Sequence, residues 1–135
     1  MKKQTRSEAR ERAFSLIFQL YANSDEPEFL IEQMLEEFPE SVDNLAYIKG
    51  AALGVMEKRD EILEQISSVL PKNRPITRLS RAVTVILMLA VYEISNVDDV
   101  PEKVAINEAV ELAKKYAEDD APAFVNGVLG GVVAK

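Results

Sequence analysis

Val100-Pro101-Glu102-Lys103-Val104-Ala105-Ile106-Asn107-Glu108-Ala109-Val110-Glu111-Leu112-Ala113-Lys114-Lys115-Tyr116, followed by Phe124-Val125-Asn126-Gly127-Val128-Leu129, is the stretch whose reading decides the fold. Val104, Ala105, Ala109, Leu112, Ala113 and Tyr116 recur at helical spacing, opposite Glu102, Lys103, Glu111 and Lys114. Asp98 or Asp99 with Pro101 supplies a start signal. Asp119 or Asp120 with Pro122 starts a last helix through Phe124, Val125, Val128, Leu129 and Val132. The stretch therefore predicts two amphipathic helices joined by an acidic turn.

Upstream lies the longest apolar run, Leu79 to Ile94, interrupted only by Ser80, Arg81, Thr84 and Glu93. A helix apolar nearly all round belongs at the centre of a bundle, and this one is too short for a membrane span. Pro71 and Pro75 bracket a loop before it, and Ile62, Ile66, Val69 and Leu70 make a short fourth helix after a polar turn at Glu57 to Glu61. Ser41 or Asp43 opens a third helix through Leu45, Ile48, Ala52, Leu53 and Met56, with a small-residue face at Gly50, Ala51, Ala52 and Gly54. Asn23-Ser24-Asp25 caps a second helix, with Pro27 in its first turn and Pro39 as its stop. The first helix spans Thr5 to about Ala22, with Ala9, Ala13, Phe14, Leu16, Ile17, Phe18, Leu20 and Tyr21 on one arc. Nothing alternates as a strand would. The expected architecture is all-α: one domain over residues 1–135, a compact bundle of about seven helices around Leu79–Ile94.

Composition narrows the function classes. Apolar residues make up 47% of the 135, too many for a disordered chain. There is no cysteine and no histidine, which removes disulfides, thiolate nucleophiles, imidazole bases and nitrogen or sulfur metal ligands. No catalytic residue, cofactor or metal is expected. A carboxylate metal centre would need inward Glu-x-x-His pairs, and Glu93 and Glu108, the carboxylates within apolar runs, are better read as hydrogen-bonding at helix ends or between helices. The basic, polar start lacks the apolar segment of an export signal, so a cytoplasmic protein without membrane association is expected.

Charge is distributed unevenly. Residues 1–12 hold Lys2, Lys3, Arg6, Arg10 and Arg12 against Glu8 and Glu11, a net of +3 in a chain of net charge −7. Lys3, Arg6 and Arg10 fall within about 60° of one another on a helix and continue the arc of Phe14, Ile17 and Tyr21, with Arg12 on the other side. Cations on one line suit a phosphate backbone; the alternative reading is a solubilising helix start.

The order, spacing and identity of several motifs agree with one family. Ala9-Arg10-Glu11…Ala13 leading into Phe18-Gln19-Leu20-Tyr21, then Ile86-Leu87…Leu89-Ala90-Val91-Tyr92-Glu93, Val104–Lys114 and Phe124–Leu129 resemble the NusB family of transcription antitermination factors. The resemblance implies a non-enzymatic helical RNA-binding factor that pairs with a small-subunit ribosomal protein acting as NusE. It implies binding of a boxA-type single strand in nascent RNA within the RNA polymerase antitermination complex, supporting ribosomal RNA transcription. Carried over, the RNA-binding residues are Arg6 and Arg10, with Asp120 and Phe124 at the turn before the last helix; the basic N-terminal stripe adds Lys2 and Lys3 as expected phosphate contacts.

The chain departs from that pattern where many relatives carry an acidic–basic pair and an arginine in the central helix: here Val83, Thr84 and Met88 stand. The aromatic residue often found in the preceding loop is also absent. These departures motivate a second reading, a helical protein-interaction module or homodimer without RNA function. A third, an accessory domain of an RNA methyltransferase, lacks any glycine-rich cofactor loop. Phe124 either stacks an unpaired base or staples the last helix. Asp119 and Asp120 either cap that helix or accept from base amino groups. Asn107 and Asn126 are read as amides bridging helices. Gly127, Gly130 and Gly131 imply close approach of another backbone or fraying.

Overall fold

The computed structural model describes residues 3–23 and 25–134, which carry seven α-helices, two short 3-10 helices and no strand. Two compact units are present, Met1–Glu57 and Lys58–Lys135.

In the first unit, α1 (Arg6–Ala22) begins with a reciprocal capping box. The Glu8 N–H donates to Thr5 Oγ1 at 3.0 Å, and the Thr5 N–H donates to Glu8 Oε1 at 2.9 Å. Its arc buries Ala9, Ala13, Phe14, Leu16, Ile17 and Leu20, while Phe18 and Tyr21 are half-buried at its edge. Helix α2 (Pro27–Glu37) has Glu26 at its N-cap position and no side-chain cap. The expected Asn23-Ser24-Asp25 cap is therefore not the one used: Asn23 closes α1, its N–H donating to the Gln19 carbonyl, and Ser24 lies outside the described residues. Pro27 at the first turn already removes one donor that a cap would have to satisfy.

Pro39 does end α2, but a 3-10 helix (Pro39–Asn44) follows before α3 (Leu45–Glu57). Ser41 and Asp43 do not open α3, since both lie within that 3-10 helix; their side chains accept from Gln4 of the N-terminal segment instead. Ile48, Ala51, Ala52 and Val55 are buried. Of the expected small-residue face, Ala51 and Ala52 are buried and Gly54 is half-buried, while Gly50 faces open space.

In the second unit, α4 (Arg59–Ser67) and a 3-10 turn (Ile76–Arg78) precede α5 (Arg81–Asn96), α6 (Glu102–Tyr116) and α7 (Ala121–Val133). Ser80 caps α5, accepting from the Val83 N–H at 3.2 Å. Every residue from Val83 to Val91 is buried, and α5 touches α4, α6 and α7, which makes it the centre of this unit, as its sequence requires.

Helix α6 buries a narrower line than its pattern suggests, Ala105, Ala109, Leu112 and Ala113. Val104 and Tyr116, expected inward, are 43% and 41% exposed. Val104 lies about 100° round the helix from Ala105, and Tyr116 is the last helical residue, where packing ends. Asn107 and Asn126 are exposed rather than bridging helices. Gly127 and Gly130 have open space where a Cβ would stand. Of the three, Gly131 alone is approached closely, and by a side chain: a Cβ there would lie 3.3 Å from the Val69 Cβ. Among the described residues no helix is long and apolar enough to cross a membrane.

Candidate nucleic-acid interface

The entry into α1 is pinned. Gln4 is 8% exposed; its N–H donates to Asp43 Oδ2 at 3.1 Å and its side-chain amide donates to Ser41 Oγ at 2.8 Å. The Asn44 amide donates back to the Gln4 carbonyl at 3.2 Å and to Gln4 Oε1 at 3.1 Å. Exposed Lys3 and Arg6 flank this anchor, so their cationic heads leave from a fixed backbone. Lys2 lies outside the described residues.

Arg6 and Arg10 converge on one ring, with guanidinium carbons 4.3 Å and 5.7 Å from the Tyr47 centroid. They differ in access. Arg6 is exposed, whereas Arg10 is 3% exposed. The line of three surface cations expected from the helical wheel therefore ends at Arg6. Arg10 precedes Phe14 and Ile17 by one and two helical turns, so continuing the apolar arc carries it inward, its stem packed and its head against Tyr47. Arg12 stacks elsewhere, 3.9 Å over Phe38, on the other side of the helix as its position dictates.

In the second unit, Asp120 occupies the N-cap position of α7 without making a capping hydrogen bond. Its Oδ2 instead lies 3.8 Å from an Arg74 guanidinium nitrogen. The same guanidinium sits 4.0 Å from the Phe124 ring centroid. The cap reading of Asp120 is thus replaced by an ion pair. Nor is Phe124 a hydrophobic staple: the residue preceding the cap is Asp119, which offers the ring no apolar partner. Phe124 is half-buried, with one face occupied by a cation.

Sequence reading assigned no role to Arg74. One signal was available: between Glu64 and Glu93 the chain has no carboxylate but carries Lys72, Arg74, Arg78 and Arg81, in a protein of net charge −7. Lys72, Arg78 and Arg81 are exposed and Arg74 is half-buried. The exposed Arg74–Asp120 pair contributes only about 0–1 kcal/mol, so it orients the guanidinium without locking it.

The departures in α5 resolve into packing. Val83, Thr84 and Met88 are 2%, 3% and 0% exposed, so no apolar patch opens where polar residues are missing. Thr84 Oγ1 donates to the Ser80 carbonyl at 3.0 Å, one turn back.

Exposed cations beside aromatic rings, one set in each unit, are chemistry suited to an RNA strand. The comparisons agree in kind. The NusB family model matches residues 7–134. A transcription antitermination protein NusB of Lactiplantibacillus plantarum is 43% identical over 96% of this chain and 94% of its own length. That of Clostridium novyi is 38% identical over 95% and 97%. Among solved structures, T. maritima NusB superposes with a TM-score of 0.84 at 30% identity, covering 99% of this chain and 94% of that one. A crystal structure of antitermination factors NusB and NusE in complex with dsRNA gives 0.80 at 26% identity, covering 96% of each chain. With a family model matched over nearly its full length and relatives this similar, the chain belongs to the NusB family.

Proposed function

We propose that this protein is a transcription antitermination factor that binds boxA-type single-stranded RNA together with NusE, a small-subunit ribosomal protein, and so supports ribosomal RNA transcription. Lys2, Lys3 and Arg6 bind phosphates. Arg10 holds the Tyr47 ring that backs Arg6. Asp120 and Phe124 read and stack bases at the turn before α7. The observation that carries the reading is Arg6: exposed, on a hydrogen-bonded helix entry, with its guanidinium set over a ring rather than paired away. The relative solved with NusE and RNA supports both partners in kind.

A gel shift with a boxA-type single strand, its scrambled version and a perfect duplex, each with and without NusE, tests the assignment. The expected result is tightest binding of the boxA strand with NusE present. Equal binding of duplex and scrambled strand would overturn the single-strand assignment. A chain that sediments as a dimer and ignores all three RNAs would instead support the interaction-module reading.

A further inference from the structure

We infer that the loop Pro71–Arg78 is a second RNA-binding element of this chain. In it, Arg74 and Phe124 form one composite stacking platform for an unpaired base, and Lys72 and Arg78 hold the flanking phosphates. The inference deepens the proposed function and rests on it, since it presumes an RNA ligand.

Three observations carry it. The first is geometric. Arg74 stands 4.0 Å over Phe124, so the planar guanidinium already covers one face of the ring before any base arrives. A base entering here meets a cation backed by an aromatic surface, and bases stack on arginine planes as well as on rings. The second is electrostatic. The loop's cations sit within a run that has no carboxylate from Gln65 to Tyr92, so no neighbour in sequence neutralises them. Asp120 offsets Arg74, so Lys72 and Arg78 are the cations of this loop that supply the attraction for phosphate beside the acidic Glu118-Asp119-Asp120 turn. The third is restraint. Asp120 reaches Arg74 at 3.8 Å, with 70% of the Asp120 side chain and 41% of the half-buried Arg74 side chain accessible. The carboxylate therefore aims the guanidinium while the Arg74 side chain stays partly accessible to solvent. Pro71 and Pro75 bracket Lys72 and Arg74, which limits the backbone freedom lost when a strand is bound.

Planarity separates this role from simple charge. Arg74→Lys keeps the cation and removes the stacking plane; Arg74→Ala removes both; Lys72→Ala with Arg78→Ala removes phosphate contacts and leaves the platform. The full-length protein is titrated, across a salt series, with a boxA-type single strand carrying 2-aminopurine at each position in turn. In the wild type, one position shows fluorescence quenched on binding. Arg74→Lys abolishes that quench with little change in the salt slope. The double alanine variant keeps the quench and lowers the slope by about 1.4, at about 0.7 for each single-strand phosphate contact. Circular dichroism confirms that each variant retains its helices.

The two layers fail differently. If the wild type does not bind the strand, the RNA reading itself falls. If the wild type binds and Arg6→Ala weakens binding, while the loop variants keep both quench and slope, the second element is overturned and the first stands.

Discussion

The Arg74 guanidinium lies 4.0 Å over the Phe124 ring and 3.8 Å from the Asp120 carboxylate, joining the loop before α5 to the first turn of α7. Asp120 and Phe124 are the residues proposed above to read and stack bases. Arg74 supplies a positive charge at a turn whose own sequence, Glu118-Asp119-Asp120, is acidic and would repel a phosphate.

The two α1 arginines should separate cleanly on mutation. Arg6→Ala lowers RNA affinity and reduces the salt slope by about 0.7, and losing its contact with Tyr47 costs at most about 1 kcal/mol of stability. Arg10→Ala removes a buried side chain from beside Tyr47 and destabilises the fold by about 1–3 kcal/mol. Filter binding over a salt series and urea titration read the two effects. Equal loss of stability in both variants would contradict the difference in burial.

Thr5→Ala breaks one half of the capping box of α1 and costs about 1 kcal/mol. Thermal unfolding of this variant beside Glu8→Ala, which breaks the other half, reads the pair. A double variant that loses the full sum of the singles would show that the two bonds do not act together.

The buried positions of α5 make a second contrast. Met88→Ala leaves a cavity in the second unit and destabilises by about 2–5 kcal/mol. Thr84→Val should lie within about 1 kcal/mol of wild type, because the Ser80 carbonyl still accepts the Thr84 N–H at 3.0 Å after the hydroxyl is gone. Chemical denaturation distinguishes them, and comparable losses would show that the hydroxyl matters beyond that bond.

Gly127→Ala should stabilise the protein by about 0.5–1 kcal/mol, since an added Cβ meets nothing within 4 Å and α7 gains helix propensity. Gly131→Ala should gain less or lose stability, as its Cβ must displace Val69 from 3.3 Å. Melting temperatures settle the order, and a larger gain at position 131 would refute the crowding.

Asp120→Asn frees Arg74 from its ion pair and removes a negative charge from the turn. Stability should change by less than about 1 kcal/mol because the pair is exposed. Binding should tighten for boxA and scrambled strands alike, narrowing the difference between them. Unaltered discrimination in a competition gel shift would remove Asp120 from base reading.

What the sequence determined alone is the helical skeleton. Periodicity over ten to twenty residues found the seven helices of the described residues, put Val83 to Val91 in a core and set the arc of α1, because side-chain direction along a helix follows from local geometry. It missed the bounds of α4: the expected polar turn at Glu57 to Glu61 breaks the helix only at Lys58, and α4 ends at Ser67, before Val69 and Leu70. It also carried the family, through motifs whose residues lie close in the chain. The helix caps were less legible. Ser41 and Asp43 look like caps, yet Gln4 takes both from about forty residues away.

Which cations face solvent was decided only by tertiary packing. Arg6 and Arg10 share a helical face, and a single turn separates an exposed head from one that is 3% exposed. Arg74 and Phe124 lie fifty residues apart, and no local pattern links a loop arginine to a ring in another helix. Their meeting depends on where α7 packs against its neighbours, a sum of many weak apolar contacts that no short window of sequence contains.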